Sequence, residues 1–238
     1  FAASIGFDII LLFSFNVISQ PHRTALVMFS AGIAAGAFWT LYDFVNDTLE
    51  KTTPEGILTK IEKSLTPTFI VDSAHAAANN PAERDPFLPL VSVISSTISE
   101  KDRVSASRGL DILGDRIVDL VQTTPKEEFE EEAPVNQSLE VVCTNQLPEI
   151  VQEAVDEELT QIAVDVTEIA ETVGDVAVEE EVERVLDHVL EGQTSLINSL
   201  GYESNEERIR AEVIDTSCDL LKHAVENGLW RSSAVGTR

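Results

Sequence analysis

Two groups of side chains in this chain have types and spacings that could do chemistry, and both are carboxylate-based. The first is Asp8, a lone acid inside an apolar run from Phe1 to Ile18. A carboxylate in hydrocarbon costs about 2.5–3.5 kcal/mol on insertion scales, so such an acid faces another helix, takes up a proton, or lies near the headgroups. Its chemistry would be that of an ion or proton relay; its nearness to the start of the sequence favours the headgroup reading. The second group is Glu181, Asp187, His188 and Glu191. His188 and Glu191 share a helical face, and Glu181 lies two turns earlier. A di-metal bundle requires Glu-x-x-His from two helices with further carboxylates from two more. Here the order is His-x-x-Glu and it occurs once, so no metal site is assigned.

The remaining reactive groups are isolated. His75 sits among alanines, and His223 lies near the end of a helical pattern where the helix dipole favours a partly charged imidazole. Neither has a nucleophile or carboxylate placed beside it by sequence. Cys143 and Cys218 form no CxxC pair, which fits a reducing compartment or core use. There is no Gly-rich phosphate loop, Ser-centred elbow or HExxH motif. The expectation is therefore a non-enzyme with no cofactor.

The elements that carry these groups begin with two apolar segments. Ala2–Ser19 and Ala25–Tyr42 are joined by the polar corner Gln20-Pro21-His22-Arg23. A membrane-crossing helix needs about 20 apolar residues, so the pair reads as a transmembrane hairpin. Gly32 and Gly36, four apart, would allow close helix contact in lipid, within one chain or in a homo-oligomer. Trp39 and Tyr42 stand where amphipathic rings favour the headgroup region. No basic region precedes the first apolar run, which argues against a secretory signal. Because the sequence starts with Phe, further residues are expected upstream. Arg23 in the corner against Lys51, Lys60 and Lys63 after the second segment favours a multi-pass protein of the cell membrane with its later region cytoplasmic.

Residues 1–45 carry only Asp8, Asp43 and Arg23, so all but one unit of the −26 formal charge lies beyond them. Such a surface repels nucleic acid and anionic headgroups, which excludes nucleic-acid binding. Lys is scarcer than Arg. An acidic, Lys-poor chain suits concentrated salt, where self-repulsion is screened over a few ångströms; a halophilic setting is expected.

After Asp43 nearly every signal is helical. Thr53-Pro54, Thr66-Pro67 and Asp85-Pro86 each pair an N-cap residue with a proline. They lead into faces carried by Leu58 and Leu65, by Ile70 and Ala74, and by Leu90, Ile94 and Ile98. From Asp102 a longer helix shows Ala106, Leu110, Leu113, Ile117 and Leu120, closing a subdomain over 46–124. The like-charge run in 125–136 predicts a solvated linker. Residues 138–143 suit a short strand or a helix start. Leu147 to Val173 predicts one long amphipathic helix capped by Asn145, Val178 to Leu200 a second, and the capping box Ser204-x-x-Glu207 opens a third that stops at Gly228. These make an antiparallel bundle over 137–228, with 229–238 as a tail. The fold class expected is all-α, a transmembrane hairpin followed by a soluble helical bundle.

The phrases Thr53-Pro54-Glu55, Leu65-Thr66-Pro67, Asp85-Pro86-Phe87-Leu88-Pro89-Leu90 and Leu110-Asp111-Ile112-Leu113-Gly114-Asp115-Arg116, following two apolar spans, resemble the haloarchaeal branch of an uncharacterised family of predicted integral membrane proteins. The resemblance covers about residues 25–125. It implies spans upstream and a helical C-terminal region, and carries no activity or site residues. The function expected is a membrane-anchored interaction or sensory module whose partners are the lipid bilayer and a protein held by the soluble helices. The alternatives are a transporter or channel component using Asp8, and an enzyme of unknown type.

Overall fold

A computed structural model describes residues 28, 32, 33, 35–45, 48, 52–79, 85–201 and 204–229, with the side chains of 204 and 205 left aside. The described residues contain helices and turns and no strand. The chain divides into two units, Phe1–Gly56 and Ile57–Arg238.

In the first unit, residues 35–45 are helical. Among the described residues no helix is long and apolar enough to cross a membrane. The expected span Ala2–Ser19 lies outside the described residues, and Ala25–Tyr42 is described only in part.

The second unit is built from helices α1 (Pro54–Ser64), α2 (Pro67–Asn79), α3 (Leu88–Ser99) and α4 (Arg103–Thr123), followed by a 3₁₀ turn at Lys126–Phe129. Then come α5 (Pro134–Val141), a π-turn at Val142–Gln146, α6 (Leu147–Asp156), α7 (Thr160–Glu179), α8 (Glu183–Ser199) and α9 (Ser204–Glu226). The first residues of α1 belong to the preceding unit. Thr53, Thr66 and Asp102 cap the helices that follow them, whereas Asp85-Pro86, expected as a third cap, lies ahead of Phe87, the N-cap of α3, which has no side-chain cap bond. Thr53 Oγ1 accepts from Gly56 N–H at 3.3 Å, Thr66 Oγ1 from Phe69 N–H at 3.3 Å, and Asp102 Oδ1 from Ser105 N–H at 3.1 Å. Each satisfies a backbone donor that has no partner within its helix.

Helix α7 is central, packed against α4, α6, α8 and α9. Its Ile162, Val166, Val173 and Ala177 are buried, and so are the faces read from sequence on α4 and α8. Phe69 on α2 and Val225 near the end of α9 are exposed.

The long helix expected from Leu147 to Val173 is two helices. After α6 the chain closes with Leu159 N–H donating to Ala154 O and Glu158 N–H to Val155 O, while Glu158 takes a φ of 62°. This is a Schellman ending, which lets the chain reverse into α7. Lys101 (φ 59°) and Glu181 (φ 57°) end α3 and α7 in the same way, and Gly228 (φ 74°) ends α9. Three of these left-handed positions carry side chains rather than glycine, which is why the sequence shows no stop signal there. Asn145 is likewise no cap, because it lies inside the π-turn. The ambiguous stretch at 138–143 is helical.

Residues 125–136, expected as a solvated linker, carry the 3₁₀ turn and the start of α5. Phe129, the single apolar residue in the acidic run, is buried, and Val135 follows it into the core. One aromatic anchor suffices to tie the strap down, since burying a Phe contributes about 1.5–3 kcal/mol. Exposed ion pairs Lys126–Glu181 (3.3 Å) and Arg184–Glu131 (2.8 Å) flank it. Pairs of that kind add little on their own.

Candidate functional site: an apolar helix, an acidic groove and interior polar groups

The helical stretch 35–45 is exposed at every position. Phe38 is 72% exposed, Trp39 67% and Phe44 65%, with Leu41, Tyr42 and Val45 open as well. At 100° per residue these six side chains sweep roughly 220° of the helix surface. The remaining sector holds Gly32, Gly36, Thr40 and Asp43. Thr40 Oγ1 donates back to Gly36 O at 2.9 Å, so its hydroxyl donor is satisfied within the helix. Trp39 and Tyr42 stand together, with ring centroids 6.4 Å apart and planes tilted by 45°. Nothing among the described residues lies within 4 Å of a Cβ added at Gly32 or Gly36, so the close helix contact expected there is not among the described contacts. Asp8 lies outside the described residues.

In the second unit, α4 and α7 frame a groove lined by Ser107, Asp111, Asp115, Asp165 and Glu168, with Gly114, Val118 and Ile169 also along it. Asp165 is held in place, accepting from Ser107 Oγ at 3.2 Å and from Gln161 Nε2 at 2.9 Å. Desolvation, then the nearby Asp115 and Asp165 charges, raise the Asp111 carboxyl above its ordinary range. Further along α7, desolvation with Asp175, Asp219, Glu168 and Glu212 does the same to Glu171. The sequence gives no hint of these pairings, because the acids come from separate helices.

The residues weighed for metal binding do not assemble. His188 is buried and bonds through Nε2 to Asn136 Oδ1 at 3.0 Å, while Glu181 pairs with Lys126. Desolvation lowers the His188 pKa, which keeps the ring neutral. No group of three His, Cys, Asp or Glu able to hold a metal ion occurs among the described residues. His223 and His75 do acquire carboxylates from other elements: Asp175 at 2.7 Å and Glu128 at 2.8 Å.

A third feature went unseen in the sequence. Leu147 N–H donates to Val142 O, an i to i+5 bond. The next donor in that ladder would be Pro148, which has no N–H. The Cys143 carbonyl turns toward α8, where it meets Gly192 so closely that a Cβ there would overlap it. Cys143 itself is buried, and desolvation pushes its thiol up to about 12.

Compared with known proteins, the chain matches no family model, no curated protein and no solved structure.

Proposed function

We propose that the chain is a membrane-anchored helical interaction module, held by apolar helices over Ala2–Ser19 and Ala25–Tyr42 with its acidic body in the cytoplasm. The observation that carries this is the exposure of Phe38, Trp39, Leu41, Tyr42, Phe44 and Val45 on one helix. A helix apolar over most of its circumference has to be covered, and lipid covers it without a dedicated partner. The internal bond from Thr40 to Gly36 supports the same reading, since it removes a donor that hydrocarbon cannot satisfy. The narrow sector of Gly32, Gly36 and Thr40 is the face on which a second helix would pack, from the same chain or another copy. The resemblance to acidic integral membrane proteins belongs to this reading.

On the body, the groove of Asp111, Asp115, Asp165 and Glu168 is the face offered to a partner, and its charge selects a basic segment. Washing membranes from cells expressing the full chain with alkaline carbonate tests the anchor. The chain should stay with the lipid, and Phe38→Ser with Leu41→Ser and Val45→Ser should weaken retention. A wild-type chain released quantitatively by the wash refutes the anchor. An impermeant thiol reagent that labels a Glu127→Cys chain in intact cells refutes the cytoplasmic placement.

A further inference from the structure

A polar amide is enclosed where α7, α8 and α9 meet the π-turn. Gln193 is only 4% exposed, and its Nε2 has no partner among the described residues. Its other end faces Ser217, whose Oγ lies 2.7 Å from Gln193 Oε1 and 2.6 Å from Val213 O. One hydroxyl proton cannot serve both acceptors. If it goes to Val213, the Gln193 amide turns over and donates Nε2–H to Ser217 Oγ, leaving Oε1 as the free atom. Either arrangement leaves one end of a buried amide without a partner among the described residues, and such a group costs about 1–3 kcal/mol when unsatisfied.

Gln193 lines a narrow, partly open pocket whose wall includes Cys143, Val166, Thr167, Val189 and Leu196. The centre of a water molecule can occupy about 20 Å³ of it, where one water needs roughly 10–15 Å³. Two further residues that carry polar groups, Thr167 and Cys143, line the same pocket. Thr167 Oγ1 donates to Ala163 O at 3.1 Å and keeps its lone pairs for an incoming donor. The Cys143 thiol, protonated because its pKa is about 12, is a weak donor and acceptor.

We propose that this pocket is a binding site for a single ordered water, held by the Gln193 amide and the Thr167 hydroxyl. Water is the occupant of the right size that can donate or accept, so it satisfies the amide in both of its orientations. An apolar guest would leave the amide unpaired. The bound water couples α7 to α8 beside the π-turn, a place where helices commonly bend to hold ligands.

The test is water-to-protein cross-relaxation in the full chain in detergent, with glutamine side-chain nitrogens labelled. A long-lived water signal at the Gln193 amide is expected, and Gln193→Leu should remove it. Ser217→Ala, which shifts the same resonance, supplies the assignment if the leucine variant fails to fold. Dissolved xenon should leave the methyl signals of Val166, Val189 and Leu196 unmoved. A Gln193 amide without a water signal, or xenon entering among those methyls, overturns the proposal.

Discussion

Replacing Gly192 with alanine isolates the contact between α8 and the π-turn. The added Cβ would overlap the Cys143 carbonyl oxygen. That obstacle is backbone, fixed by the bonds of the π-turn, so no rotamer change relieves it. Overpacking of this kind costs about 1–3 kcal/mol, at the upper end where backbone must move. Alanine recovers about 1 kcal/mol of helix propensity within α8, which offsets part of the cost. The net expectation is a loss of about 1–2 kcal/mol, or roughly 2–8 °C in melting temperature for a chain of this size. Gly174→Ala is the control. Its Cβ would approach Leu220 Cδ2 at 2.7 Å and Cδ1 at 2.8 Å, which are side-chain atoms rather than backbone. Propensity and crowding nearly cancel there, so its effect should be under 1 kcal/mol. Thermal unfolding followed by circular dichroism, on the full chain in detergent, measures both. Equal melting temperatures for Gly192→Ala and the wild type would refute the reasoning, because the carbonyl would then have room to retreat.

Glu158→Gly and Glu181→Gly should each stabilise by up to about 1 kcal/mol, since glycine removes the left-handed strain at φ 62° and 57°; denaturant midpoints check this. Asp85 lies partly buried, accepting from Phe87 N–H at 2.9 Å, and desolvation raises its pKa above the ordinary 3.8. A raised folded pKa means its stability contribution is full below pH 3.8 and lost as pH rises through the higher folded value. Asp85→Asn keeps the acceptor oxygen, so its stability relative to wild type should grow over that interval, and pH-dependent melting tests it. Cys218 is exposed and Cys143 buried with its thiol at about 12, so a thiol reagent should modify one cysteine in the folded chain and two after unfolding. With nearly all of the −26 charge outside residues 1–45, melting temperature should rise between 50 mM and 2 M KCl, and an unchanged value would remove the halophile argument.

Helices announced by side-chain caps were legible because the cap and the first buried residues are neighbours in sequence. Thr53, Thr66 and Asp102 bond within three residues of themselves. The faces of α4 and α8 could be read for the same reason, since four- and three-residue steps repeat along one helix. Helix ends were harder. Glu158 and Glu181 enter the left-handed region without a glycine because Leu159 and Val182, the next residues, are buried and hold the turn closed. That compensation is tertiary. The burial of Phe129 is as well, since a single aromatic in an acidic run carries no period.

The interior site was illegible for a different reason. Its parts are a missing donor at Pro148, a missing Cβ at Gly192 and an amide at Gln193, and each is unremarkable alone. Pro148 reads as the start of a helix, where a proline is favoured. It stands in the first turn of α6, yet Val141, Val142–Gln146 and Leu147 follow one another without a break, so the proline falls inside a continuous helical run and widens it. The freed Cys143 carbonyl then requires glycine on the facing helix, 49 positions away. Gly192 in turn brings its neighbour Gln193 against the pocket that α7 and α9 also line. Only the three-helix junction makes these residues one site. A Pro148→Ala chain would test that dependence: with the backbone donor restored, the ladder can extend to the Cys143 carbonyl, and the demand for glycine at 192 should ease. Gly192→Ala should then cost less in the Pro148→Ala background than in the wild type, and equal costs would show that the two residues act independently.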